Sequence, residues 1–249
     1  MERSLSAAAA YLAAFSQAQL RFDAAVGLHE MRKTVDSERL RRAMARALEV
    51  SNRDHDNPMR RFWDPEMAVP AGILHAWIPP QDGTRVNPNR VTSEALHCDR
   101  SGMREESLAY LSGPMRDAGG YQSVHALWAL VLAHERGCVE GRTYETSLRS
   151  LQRELVEHQP ATFTPTRTLD IDLYAERVLM LLQSGYTAPV VDAWVERLLE
   201  LQREDGRWGV DDPGLDPYFQ YHTTLACSWA VTEWVRRVLA HPDLRYAPR

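Results

Sequence analysis

Three cysteines in 249 residues, at positions 98, 138 and 227, are too few and too widely spaced for a disulfide framework. Their odd number points to a reducing compartment and a cytoplasmic location, with room left for one bridge. Missing as well is any run of apolar residues long enough to span a bilayer, which argues against membrane insertion. Basic residues are not in excess: 29 Lys and Arg stand against 34 Asp and Glu, a net charge of −5 that leaves no footprint for nucleic acid. The one local basic stretch, Arg41, Arg42, Arg46, Arg60 and Arg61, reads as a solvated helix face and its loop. The chain has no phosphate-cradling Gly-rich loop, no Gly-x-Ser-x-Gly elbow and no Cys-x-x-Cys pair, so those chemistries have no motif here. A cleavable leader is not visible either. Ser4 to Leu20 is rich in alanine but is interrupted by Ser6, Ser16, Gln17 and Gln19, and reads as an amphipathic helix. A periplasmic or secreted location stays open if a signal has been removed ahead of Met1.

What is present is an ordinary globular composition, 44% hydrophobic and 25% charged, enough for one large or two small cores. The apolar residues recur with the helical period, and no segment shows the alternation of a sheet. Leu5, Ala8, Leu12, Phe15, Ala18 and Leu20 begin a pattern that continues through Phe22, Val26 and Leu28 as one long predicted helix. A second runs from Val35 to Val50, with Asp36 or Ser37 as its N-cap. Between Asn52 and Asn89, six prolines repeatedly remove a backbone donor, and a short helix or strand is expected only around Ile73 to Ile78. Further helices are predicted at Ser93–Ser112, Tyr121–Glu135, Tyr144–Glu157, Asp170–Gln183, Ala188–Arg203 and Tyr218–Leu239. The chain thus reads as N-terminal helices (1–51), a proline-rich connection (52–91) and repeated helical hairpins (92–249), integrated into one all-α domain.

The region after Thr92 carries a degenerate duplication. Leu96-His97-Cys98-Asp99 and Leu169-Asp170-Ile171-Asp172 are matching tetrads. Each is followed by a Gly-terminated helix and then by a Tyr-x3-His helix start, Tyr121 to His125 and Tyr218 to His222. Two further patterns lie close together near the C-terminus. One is Leu198-x3-Gln202-x3-Gly206-x-Trp208; the other is Tyr218-x3-His222-Thr223-Thr224. The pair resembles the repeats of the α/α-toroid superfamily, which includes squalene and terpene cyclases and the β subunits of protein prenyltransferases. The resemblance is most specific in the C-terminal third. It implies a partial or compact α/α toroid of antiparallel helical hairpins, in which Gln202 and Trp208 form a structural clamp.

The same resemblance implies a metal site. In the prenyltransferases, zinc is held by an Asp-x-Cys pair followed by Tyr and by a His in a Tyr-His-Thr context. Here Asp170-x-Asp172-x-Tyr174 and Tyr221-His222-Thr223 stand in that order, with Asp172 in place of the cysteine. Asp99, His125, Asp172 and His222 occupy corresponding places of the duplication and are the candidate ligands; His97, Cys98 and Asp170 are adjacent alternatives. Imidazole and carboxylate suit zinc first, and iron or manganese as well, because a carboxylate is a harder ligand than a thiolate. Tyr121, Trp128, Tyr218 and Trp229 could line a pocket for an apolar small molecule, although aromatic residues at helical spacing more often pack a core. The sequence therefore points to a divalent-metal-dependent enzyme related to prenyltransferases or terpene cyclases. The alternatives are a non-catalytic toroid that binds an apolar ligand or a protein partner, and a carbohydrate-active enzyme using paired carboxylates. Asp54-His55-Asp56 reads as a solvated loop.

Overall fold

A computed structural model describes residues 1–15, 20–35, 37–70, 87–160 and 162–240. The short element expected around Ile73 to Ile78, and Asp36 as a cap, lie outside the described residues. The α-helices are α1 (Glu2–Ala14), α2 (Phe22–Arg32), α3 (Glu38–Ser51), α4 (Asn89–Ser101), α5 (Glu105–Tyr110), α6 (Gly120–Glu135), α7 (Gly141–Glu157), α8 (Thr168–Gln183), α9 (Val190–Glu200) and α10 (Pro217–Ala240). A 3-10 turn spans Pro58–Phe62 and a π turn spans Leu111–Met115. No strand occurs among the described residues, and the all-α expectation holds.

Two predicted helices divide. The long N-terminal pattern separates into α1 and α2, because Arg21 is extended (φ −122°, ψ 176°) immediately before Phe22. The helix predicted over Ser93–Ser112 stops at Gly102 (φ +76°), a left-handed conformation that glycine adopts without a Cβ penalty. The tetrad Leu96–Asp99 therefore lies toward the end of α4, whereas Leu169–Asp172 lies at the start of α8. The two tetrads match in sequence but not in helical position. The cap of α3 is as expected: Ser37 Oγ accepts the Leu40 N–H at 3.2 Å.

The chain forms two compact units, residues 1–54 with 162–249, and residues 55–161. In the first, α10 packs against α8, α2, α1 and α9. Its residues from Thr223 to Glu233 are buried without interruption, which explains why its periodicity is weak in the sequence: this helix is covered on most sides. Ser228 and Thr232 satisfy their buried hydroxyls on carbonyls one turn back, at 2.6 and 2.7 Å. The contact with α2 is close at Gly27, where an added Cβ would lie 2.9 Å from Leu225.

The Gln–Gly–Trp element closes the junction between α9 and α10. Trp208 is fully buried. Its indole N–H donates to Leu198 O at 2.5 Å and its backbone N–H to Thr224 Oγ1 at 3.1 Å. Gln202 pairs with Trp208 in an isolated antiparallel bridge and donates to both Ser4 O and Gly206 O at 3.0 Å. Gly206 (φ +89°) lies so near α1 that a Cβ would come within 2.4 Å of Ala7 O. Gln202, Gly206 and Trp208 thus tie α1, α9 and α10 together at this junction.

In the second unit, α4 packs on α6 and α6 on α7. Glu94, buried in α4, binds the Arg104 guanidinium at 2.6 Å and Ser107 Oγ at 2.7 Å, fixing the start of α5. The carbonyls of the segment after Asn57 are captured by α4: His97 Nε2 bonds Pro58 O at 2.9 Å, and Arg100 donates to Pro65 O and Met67 O. A disulfide joins Cys98 to Cys138, so the one bridge left open by cysteine number is formed, and Cys227 is a buried free thiol.

Candidate metal centre

Three helices of the first unit converge on one imidazole. In α8, Asp172 and Glu176 are one turn apart and so share a face. In α10, Tyr218 and His222 have the same spacing, with ring centroids 5.8 Å apart. Asp23 lies in the first turn of α2, where a carboxylate also suits the helix dipole. Gly27, one turn further along α2, lets that helix approach α10 closely enough to bring Asp23 beside His222.

The geometry is asymmetric about the ring. His222 Nδ1 lies 2.8 Å from Asp172 Oδ1, a full hydrogen bond. Nε2 lies 3.5 Å from Asp23 Oδ2 and 3.8 Å from Glu176 Oε1. Asp172, Glu176 and His222 each offer a donor atom within 4.8 Å of the others. Depth also differs: the Asp172 side chain is 3% exposed, Glu176 13%, His222 21% and Asp23 25%. The cluster thus opens from Asp172 toward Asp23.

Three carboxylates against one imidazolium leave a negative excess in a poorly solvated place, and such an excess is costly unless protons or a cation neutralise it. The titration behaviour follows. Burial opposes the charge on His222, but the charge and hydrogen bond of Asp172, followed by Asp23 and Glu176, raise its pKa to about 10. Burial, then the charge of Asp172, pushes Glu176 up to about 8. Asp23 is also raised by burial, against the pull of His222.

The residues fit a divalent cation by two observations. Glu176 Oε2 is buried and has no hydrogen-bond partner among the described residues. The Nε2-to-carboxylate separations of 3.5 and 3.8 Å are near the ~3.4 Å edge of a tetrahedron with ~2.1 Å bonds.

Of the ligands expected from sequence, Asp172 and His222 are brought together here. Asp99 and His125 lie in the other unit. Asp99 is held by Arg61 through two bonds of 2.5 and 2.6 Å, and this hydrogen bonding keeps its carboxyl below the usual range. Arg61 is 2% exposed, so it departs from the solvated basic face expected for it, whereas Arg41 and Arg42 remain exposed and pair with Glu38. His125 packs edge-on to Trp128 at 5.7 Å, and Trp128 stacks on Phe62 at 5.6 Å. The alternatives have other roles: His97 holds Pro58, Cys98 is in the disulfide, and Asp170 clasps the backbone and guanidinium of Arg167 at the start of α8. Tyr218 and Trp229 are buried in the first unit, and Asp54, His55 and Asp56 are exposed.

Glu176 and Asp23 escape a reading based on motifs. Glu176 could have been found as the i+4 neighbour of Asp172 on one helical face. Asp23 carries no local signal, because only the packing of α2 on α10 brings it in. Comparison of the chain with family models, curated proteins and solved structures finds no match.

Proposed function

We propose that the His222 cluster holds a divalent cation and that the protein is a metal-dependent enzyme, with Glu176 and His222 as central donors and Asp172 as their acidic neighbour. The observation that carries this reading is the partly buried convergence of carboxylates on one imidazole, with an oxygen of Glu176 unbonded among the described residues. A bound cation would supply Lewis acidity and lower the pKa of a bound water. Nitrogen and oxygen donors without thiolate admit zinc, iron and manganese. The Gln202–Trp208 clamp and the Tyr221-His222-Thr223 context support kinship with the α/α toroids of prenyltransferases and cyclases. An apolar small-molecule substrate accords with that kinship.

Metal analysis of untagged protein, followed by titration of chelator-treated protein with Zn²⁺ and Mn²⁺, tests the proposal. One equivalent bound by the wild type and lost in His222→Ala, with helical signal retained, is the expected result. Failure of both ions to bind would overturn it. In that case a second reading has support of its own: Glu176, held protonated to about pH 8 beside Asp172, would form a metal-free acid–base pair of the kind glycoside hydrolysis uses.

A further inference from the structure

We infer that the cation, on the reading just given, is bound by His222 Nε2, Glu176 and Asp23, and that Asp172 is a positioning residue outside the coordination shell. The inference rests on which ring nitrogen is already engaged. Nδ1 is hydrogen-bonded to Asp172 Oδ1 at 2.8 Å. A nitrogen facing a carboxylate at that distance carries the proton, and neutral imidazole then keeps its lone pair on Nε2. The metal must therefore approach Nε2, on the far side of the ring from the Asp172 contact. The carboxylates nearest that nitrogen are Asp23 at 3.5 Å and Glu176 at 3.8 Å.

Burial agrees with this division of roles. Asp172 is the deepest member of the cluster, as befits a group that orients a ligand rather than meeting substrate. Asp23 and Glu176 are on the more open side, where remaining coordination positions could take water. Glu176 brings a buried oxygen with no partner among the described residues. The donor set is then one imidazole nitrogen and two carboxylates, harder than any thiolate site and suited to a first-row divalent cation such as Mn²⁺, Fe²⁺ or Zn²⁺. It draws its third donor from α2, far from the Asp172–His222 stretch in sequence.

The test uses the full chain, freed of metal and titrated with Co²⁺ alone, with affinity and the visible ligand-field spectrum as readouts. Asp23→Asn and Glu176→Gln should each weaken binding about 100-fold or more and change the spectrum, because each removes a donor. Asp172→Asn, whose amide oxygen can still accept the Nδ1 proton, should weaken binding about 10- to 100-fold and leave the spectrum in place. Circular dichroism of each variant separates loss of a donor from loss of fold, and the histidine NMR of the wild type depends on no variant. Nitrogen-15 NMR of the histidine rings with Zn²⁺ should show one imidazole metallated at Nε2 and protonated at Nδ1. Metal on Nδ1, wild-type binding in Asp23→Asn, or a spectrum lost in Asp172→Asn would overturn the assignment while leaving the cation reading intact. Absence of Co²⁺ and Zn²⁺ binding by the wild type would overturn both.

Discussion

At the scale of single residues, the His222 cluster makes stability depend on pH in a direction that can be worked out. Glu176 ionises near 4.5 when unfolded and at about 8 when folded; His222 loses its proton near 6.5 unfolded and at about 10 folded. In each interval the folded protein holds a proton that the unfolded chain has released, so stability falls as pH rises. His29 and His97, depressed by burial, act in the opposite sense but only below 6.5. The window from 6.5 to about 8 is therefore the clean one; above it the Cys227 thiol, raised by burial, adds to the fall in the same direction. Urea midpoints of the metal-free protein should decline across it, and Glu176→Gln should flatten the portion up to about 8. A midpoint constant or rising from pH 6.5 to 9 would contradict the folded-state values. A bound cation reverses the dependence, because it displaces those protons and binds more tightly as pH increases. What was readable in the sequence at this scale was the Asp172–His222 pair, through its tyrosine and threonine neighbours. Glu176 and Asp23 were not, because charged residues on a helix are usually solvated and only packing shows which are covered.

Among the elements, the Gln202–Trp208 junction was the most legible feature, since its function is local geometry and its residues lie within one turn. It is also where a single change should cost most. Trp208→Ala removes a fully buried ring and leaves Leu198 O without its indole donor; a loss of roughly 3–5 kcal/mol is expected in chemical denaturation. Gly206→Ala should exceed the ~1–2 kcal/mol of left-handed strain alone, because its Cβ collides with the Ala7 carbonyl of α1. A loss below 1 kcal/mol for either would mean that the junction does not hold α1 and α10 as described. Helix positions were readable wherever one face was apolar and the other charged, as in α3 and α7. Helix ends were less so. The break at Arg21 falls inside a continuous apolar pattern, and the break at Gly102 depends on a backbone conformation that periodicity does not encode.

For the molecule as a whole, contacts group residues 55–161 apart from the two flanking segments that make up the other unit. The disulfide belongs wholly to the inner segment and closes a loop of 40 residues. By loop-closure entropy it contributes up to about 4 kcal/mol. Reduction, or Cys98→Ser with Cys138→Ser, should accordingly lower the stability of this unit by about that amount while amide hydrogen-exchange protection of α10, which belongs to the other unit, changes little at low denaturant. A simultaneous loss of both signals on reduction would show that the units do not melt separately. The division of the chain was hidden from the sequence because it depends on which distant helices meet, not on composition at a boundary.

The discontinuity of the first unit has a temporal consequence. Gln202 reaches back 198 residues to Ser4, and Arg21 pairs with Asp216 across 195. On the ribosome, at roughly 5–20 residues per second, α1 and α2 would wait on the order of 10–40 s for α10, which packs on both. The inner segment, whose contacts are nearer in sequence, can finish first. During that interval Asp23 is an isolated carboxylate, and the cluster around His222 comes into being only as α10 docks. Cation binding would then act as a late seal on a nascent chain, engaging protein in which α2, α8 and α10 have already found each other.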